Sequence, residues 1–221
     1  HTTRCYQMIL KIAIAELLTA IVEPHLGLAL HSLTLVALIL HGAATRQTPL
    51  SRLLLALALA PLIRILSISL PLQNRPLVDW YLIIGALLYL GVFVTARVTG
   101  MSWQRLGLTL KAWPRQLAIA PLGFVLGLVE FFILGRNPLI ERLSWENVLY
   151  PALVLMIFTG FLEEIIFRGL LQGVSTTVMG KIGLWYSAVL FAVLHVGYLS
   201  IPDVLFVFGV GYDVDTYLLD S

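Results

Sequence analysis

Two apolar runs, residues 82–95 and 117–129, contain no charged side chain, and a chain that carries such runs must find an apolar medium for them. A soluble domain of this size keeps roughly a quarter of its residues charged so that its surface can face water. Here 59% of the 221 residues are hydrophobic and only 12% are charged. Most of the surface therefore faces lipid, and the expected fold class is all-α: a polytopic membrane helix bundle. The formal net charge is +2 and the basic residues are scattered, so no nucleic-acid partner is expected. The bilayer itself is the first partner. One cysteine, Cys5, cannot form an internal disulfide. The chain opens on His1, and the first apolar stretch holds Lys11 and Glu16 with no small-residue cleavage site after it. The expectation is a start further upstream and no cleavable signal.

A membrane span needs about 20 mostly apolar residues. On that measure residues 7–22, 26–41, 50–71, 78–96, 116–135, 147–172, 182–199 and 202–218 read as about eight helices. The last is atypical or incomplete, because 212–221 turns acidic. Pro24 marks a tight turn, Pro61 a kink in the third helix, and Pro71 with Pro76 its end. Residues 100–114 form the longest polar connection. There Trp103 and Trp113 among Arg105, Lys111 and Arg115 predict a segment at headgroup level. If all eight cross, Arg4, Arg46, Arg52, Arg97, Arg105, Lys111, Arg115, Arg168 and Lys181 fall on one side. Arg75, Arg136 and Arg142 fall on the other, as do Glu23, Asp79, Glu141, Glu146 and Asp203. The positive-inside rule makes the first side, with the N-terminus, cytoplasmic, as in a bacterial or archaeal plasma membrane. No repeat or appended soluble domain interrupts 1–221, which reads as a single membrane domain.

Ionisable groups inside a bilayer cost a few kcal/mol each and so mark structure or function. Lys11 and Glu16, near opposite ends of a short helix, read as snorkelling residues; Arg64 reads as half of a buried ion pair with Glu130 or Glu16. The adjacent Glu163 and Glu164 are harder to assign to structure. Glu164 and Arg168 are four apart and can neutralise each other on one helical face, while Glu163 points about 100° away and is left without that partner. An apolar surrounding disfavours the charged form, so Glu163 is suited to accept a proton, as a general base must. On the next helix Phe191 and His195 are four apart. Counted from helix ends at 172 and 182, Glu163 and His195 differ in depth by ~6 Å.

The run Phe161-Leu-Glu163-Glu164-Ile-Ile-Phe-Arg168-Gly169-Leu-Leu-Gln172, followed by Phe191-x-x-x-His195, resembles the CAAX prenyl protease 2 and bacteriocin-immunity family of intramembrane proteases, also called CPBP or Abi. The resemblance covers about 147–211. It implies Glu163 as the water-activating base and His195 as a second catalytic residue that orients the water or stabilises the oxyanion. Glu164, Arg168 and Phe191 are implied as supports. The implied reaction is hydrolysis of a peptide bond near the cytoplasmic face, with a peptide or protein partner that in one branch of the family is prenylated. The family's third motif, His followed four residues on by Asn or Asp, is not met: residues 196–221 contain neither His nor Asn. Asp213 and Asp215 lack its context and receive no role. The expectation is either a chain that continues beyond 221 or an incomplete site, which keeps open a non-catalytic immunity or scaffold protein of the same fold. A proton-relay transporter is disfavoured by the lack of repeats. No cofactor is firmly implied. Zinc is a candidate, since two carboxylates and a histidine can ligate it, but the absence of His-Glu-x-x-His and the pairing of Glu164 with Arg168 favour a metal-independent glutamate.

Overall fold

A computed structural model describes residues 2–46, 48–109, 113–135, 139–140 and 142–219, with side chains except at 2–4, 115–116, 118–120 and 213–219. It is 83% helical with no strands among the described residues. Among the described residues eight helical rods follow one another: α1 (Thr2–Leu17, prolonged by a wide turn Leu18–Val22), α2 (Pro24–Ala44), α3 (Pro49–Ser69), α4 (Leu77–Thr99), α5 (Trp113–Leu134), α6 (Trp145–Met179), α7 (Ile182–Leu194) and α8 (Ile201–Leu219). Five of these rods, α1 to α4 and α6, are long and apolar enough to cross a membrane. The chain is a multi-pass integral membrane protein.

The rods begin where the sequence supplies a cap. Glu23 accepts a hydrogen bond from the Leu26 amide at 2.9 Å and Thr48 from the Ser51 amide at 3.0 Å, each followed by proline at the first helical position. Proline fits there because its missing N–H would have had no intrahelical partner. Pro61 acts as expected, with the break one turn earlier, at Ala58, because its ring crowds the carbonyl four residues back.

α3 is the central rod. Half of its apolar window is buried, against 22–28% for the other four. Leu53, Leu57 and Leu59 pack with Leu162, Ile166 and Leu170 of α6 and Leu190 of α7, all at most 2% exposed. The outward faces of α2, α4 and α5 present Leu33, Leu40, Leu90, Phe124 and Phe132, each more than 60% exposed. Apolar area on that scale meets lipid. Lipid tails are as apolar as leucine, so helices join through close backbone approach and hydrogen bonds. Gly183 on α7 lies directly on the Ser175 backbone of α6, and the Ser175 hydroxyl donates to Gly183 O at 2.9 Å. Gly85 on α4 lies against Phe158 of α6, where a Cβ would stand 2.7 Å from the Phe158 carbonyl.

Two expectations need correction. The helix expected over 147–172 runs on to Met179, 35 residues in all, because 173–179 contains no proline and its Ser and Thr hydroxyls bond back to main-chain carbonyls within the helix. The helix expected over 202–218 is present as α8, and its apolar part ends at Tyr212. The connection after α4 does not lie wholly at the surface. Trp103 and Trp113 are exposed, but Leu106 is 3% exposed, and its carbonyl would be 2.8 Å from any Cβ at Gly169 on α6. The tip of that loop is wedged into the bundle.

Gly183→Val should lower the midpoint of thermal unfolding in detergent, by about 1–3 kcal/mol of stability for an overpacked contact. Gly123→Val, where nothing lies within 4 Å of the added Cβ, should leave it within about 0.5 kcal/mol.

Candidate functional site

α6 and α7 form an antiparallel hairpin across a turn at Gly180, whose φ of 61° is natural only to glycine. Their register is fixed by Ser187, which donates to Phe167 O at 3.1 Å, and by the Phe167 and Phe191 rings, 4.7 Å apart. One turn up α6 from Phe167 is Glu163, and one turn up α7 from Ser187 is Phe191, so these two stand level. His195 lies a further turn along α7, offset by ~6 Å. That is the depth difference expected from the sequence.

Between the helices is a cleft of about 30 Å³ lined by Glu163, Glu164, Phe167, Arg168, Ser187, Ala188, Phe191 and Gly211. It holds roughly one water molecule. Glu163 is half-buried and makes no ion pair among the described residues; the charged groups that act on it are Glu130 and Arg168. Glu164 is paired with Arg168 across one helical turn, and its side chain is 51% exposed. The two glutamates thus differ as their spacing predicts.

α6 is not a regular helix here. Wide π-helical turns run over Met156–Phe161 and Glu164–Gln172 and flank Glu163. Such turns shift the i to i+4 bonding by one residue and are frequent at functional sites. One displaced carbonyl, Ile157 O, accepts the Tyr89 hydroxyl of α4 at 2.5 Å.

His195 does not line the cleft. It is the residue that ends α7, with φ −90° and ψ −4°, the sparsely populated bridge region. Its ring sits edge-on to Phe191 at 4.8 Å, and Nδ1 is 2.9 Å from Phe191 O. A carbonyl only accepts, so Nδ1 carries the proton and Nε2 is left as an acceptor. The turn is held from outside. Arg64 of α3 donates through Nη2 to Leu194 O at 2.7 Å, and any Cβ at Gly197 would stand 3.4 Å from its Nη1 and Nη2. The same guanidinium grips Glu16 of α1 through Nε at 2.9 Å and Nη2 at 2.8 Å. His31 of α2 approaches Glu16 at 3.4 Å, and both side chains are fully buried.

Of the two partners named for Arg64, the structure selects Glu16. The snorkelling reading of Glu16 is overturned, because it sits at 0% exposure opposite Arg64; Lys11 is exposed as expected. The sequence reading missed Ser187, although 187, 191 and 195 form one helical stripe. It also missed Gly211, for which the only signal was the Gly209-x-Gly211 pair in an apolar helix. The side chains of Asp213 and Asp215 lie outside those described. No group of three or more His, Cys, Asp or Glu able to hold a metal occurs among the described residues. Among the described residues, Glu164 is held by Arg168 and His195 lies beyond the cleft.

Residues 145–215 match the family of type II CAAX prenyl endopeptidases, Rce1-like. The matched stretch covers α6, α7 and most of α8, the three helices that line the cleft, and bears out the resemblance drawn from the two motifs. No curated protein and no solved structure shows a significant match to the chain.

Glu164→Ala should destabilise more than Glu163→Ala, by about 1 kcal/mol, since only Glu164 forms the ion pair with Arg168; calorimetry in detergent measures the difference. Arg64→Met should cost about 3–5 kcal/mol, because it leaves the Glu16 carboxylate buried and uncompensated. The double variant Glu16→Leu/Arg64→Met should recover most of that loss.

Proposed function

We propose that the protein is an intramembrane endopeptidase that hydrolyses a peptide bond by a metal-independent glutamate mechanism. The observation that carries this reading is Glu163: a carboxylate with no ion-pair partner among the described residues, on the wall of a water-sized cleft, within the family-matched segment. Glu163 takes a proton from the water as its oxygen attacks the scissile carbonyl, and returns that proton to the departing amine. His195 stands a turn beyond the cleft, so it orients that water through a second water that donates to Nε2. Its Nδ1–H is already committed to Phe191 O, so the neutral ring serves as an acceptor rather than as an oxyanion donor. Glu164 and Arg168 fix the helix face from which Glu163 projects.

Arg64 is the positioning residue in this scheme, because it holds the carbonyl next to His195. The substrate is a membrane-associated peptide or protein C-terminus, prenylated or not. The arginine-rich end of the bundle, with the N-terminus, faces the cytoplasm, as the distribution of charge supports. The competing reading is a non-catalytic immunity or scaffold protein of the same fold.

Cleavage of a fluorogenic membrane-anchored peptide by the protein in liposomes separates the two. Glu163→Gln should lower kcat by roughly 10²–10⁴-fold, the usual range for loss of a general base, with the melting temperature retained. His195→Ala should lower it by a smaller factor. A chelator titration should leave the rate unchanged. Absence of cleavage by the wild-type chain on every peptide tried supports the non-catalytic reading, and cleavage unaltered in both variants defeats the catalytic assignment.

A further inference from the structure

A second, larger recess lies away from the cleft, at the end of the bundle where α3 begins and α6 ends. Its volume is about 480 Å³, within the range of roughly 300–1,000 Å³ typical of small-ligand sites. Arg52 of α3 and Arg105 of the α4–α5 connection stand on its walls, with Met101 and Val174 supplying apolar surface and Gly173 and Thr177 its α6 side. Neither guanidinium makes an ion pair or a side-chain hydrogen bond among the described residues.

The helix ends and turns on this side of the bundle carry one sign of charge. Arg46 lies in the turn before α3, Arg97 in the last turn of α4, and Lys181 just past the end of α6. The acidic residues Glu23, Asp79 and Glu146 sit at helix starts at the opposite end. No acidic side chain among the described residues belongs to the loops around the recess. Two unneutralised guanidiniums in one concave site repel each other, and an anion between them removes that repulsion. The level of the site in the bilayer is marked by Trp103, 47% exposed and stacked on Phe93 at 6.1 Å, with the Arg97 guanidinium 5.8 Å from the same Phe93 ring. Exposed tryptophan beside arginine belongs at the headgroup layer.

We infer that this recess is a phosphate site, and that its occupant is the headgroup of an anionic phospholipid. Arg52 and Arg105 hold the phosphate oxygens, and the apolar wall of Met101 and Val174 takes the start of an acyl chain. Basic pockets between helices at one membrane face are suited to such headgroups. The inference stands independently of the proposed hydrolysis.

The test uses the purified full chain in a neutral detergent and follows its melting temperature. Titration with phosphatidylglycerol should raise the melting temperature in a saturable, salt-sensitive manner, while phosphatidylcholine should not. The half-saturating concentration should rise about thirtyfold in Arg52→Gln/Arg105→Gln, the loss expected from two such contacts. A parallel arm with inorganic phosphate separates the sources. A shift with free phosphate but none with the lipid keeps the site and overturns the lipid assignment. Equal responses from wild type and double variant, or equal responses to the two lipids, overturn the site. Arg75→Gln/Arg142→Gln, at the opposite end, is the control for bulk charge and should respond as wild type does.

Discussion

Three helices that are far apart in the chain meet at one guanidinium. Arg64 leaves α3, takes the carboxylate of Glu16 on α1 and closes the end of α7 at Leu194 O. Charges in an apolar medium are stable only in company, so the pair obliges α1 and α3 to stay in register. A cation at a helix C-terminus also meets carbonyls that have no partner in the helix, and the helix dipole favours it there. A single interaction therefore both closes the N-terminal half of the bundle and sets the conformation of His195. The half outside the family-matched segment is thereby connected to the half inside it.

The hairpin of α6 and α7 relies on a different kind of contact. Small residues allow the backbones to touch, and hydroxyls of Ser175 and Ser187 cross the gap to carbonyls. Neither contact needs a hydrophobic driving force, which lipid cannot supply between helices. The wide turns in α6 belong to the same arrangement. They flank Glu163, and the carbonyl displaced at Ile157 is satisfied by Tyr89 from α4.

Much of this was legible in the sequence, and the parts that were not share a cause. Helix number and placement followed from the apolar runs and the prolines, because in lipid a backbone has few choices other than helix. The different environments of Glu163 and Glu164 followed from spacing alone, since Arg168 lies four residues from only one of them. The depth offset between Glu163 and His195 followed from counting residues. By contrast, the partner of Arg64, the wedge of Leu106 into α6 and the meeting of Arg52 with Arg105 depend on how helices pack across gaps of tens of residues. No local periodicity records that. The wide turns left almost no trace, because a helix that gains a residue in one turn reads in sequence like one that does not.

The two arms of the hairpin are unequal in length. α6 has 35 residues and α7 only 13, so at 1.5 Å per residue α7 rises ~20 Å while the hydrocarbon layer is ~30 Å thick. Starting from the arginine-rich face, α7 stops short of the other side, and residues 195–200 turn at membrane depth before α8 begins. Main chain outside a regular helix is tolerated at that depth only where its polar groups are satisfied, and in the 3-10 turn Val196–Tyr198 the Tyr198 and Leu199 amides donate to His195 O and Val196 O. Arg64 satisfies the carbonyl of Leu194, whereas Gly197 to Leu199 are exposed. The depth at which His195 stands is thus a property of helix length, set by where α7 runs out.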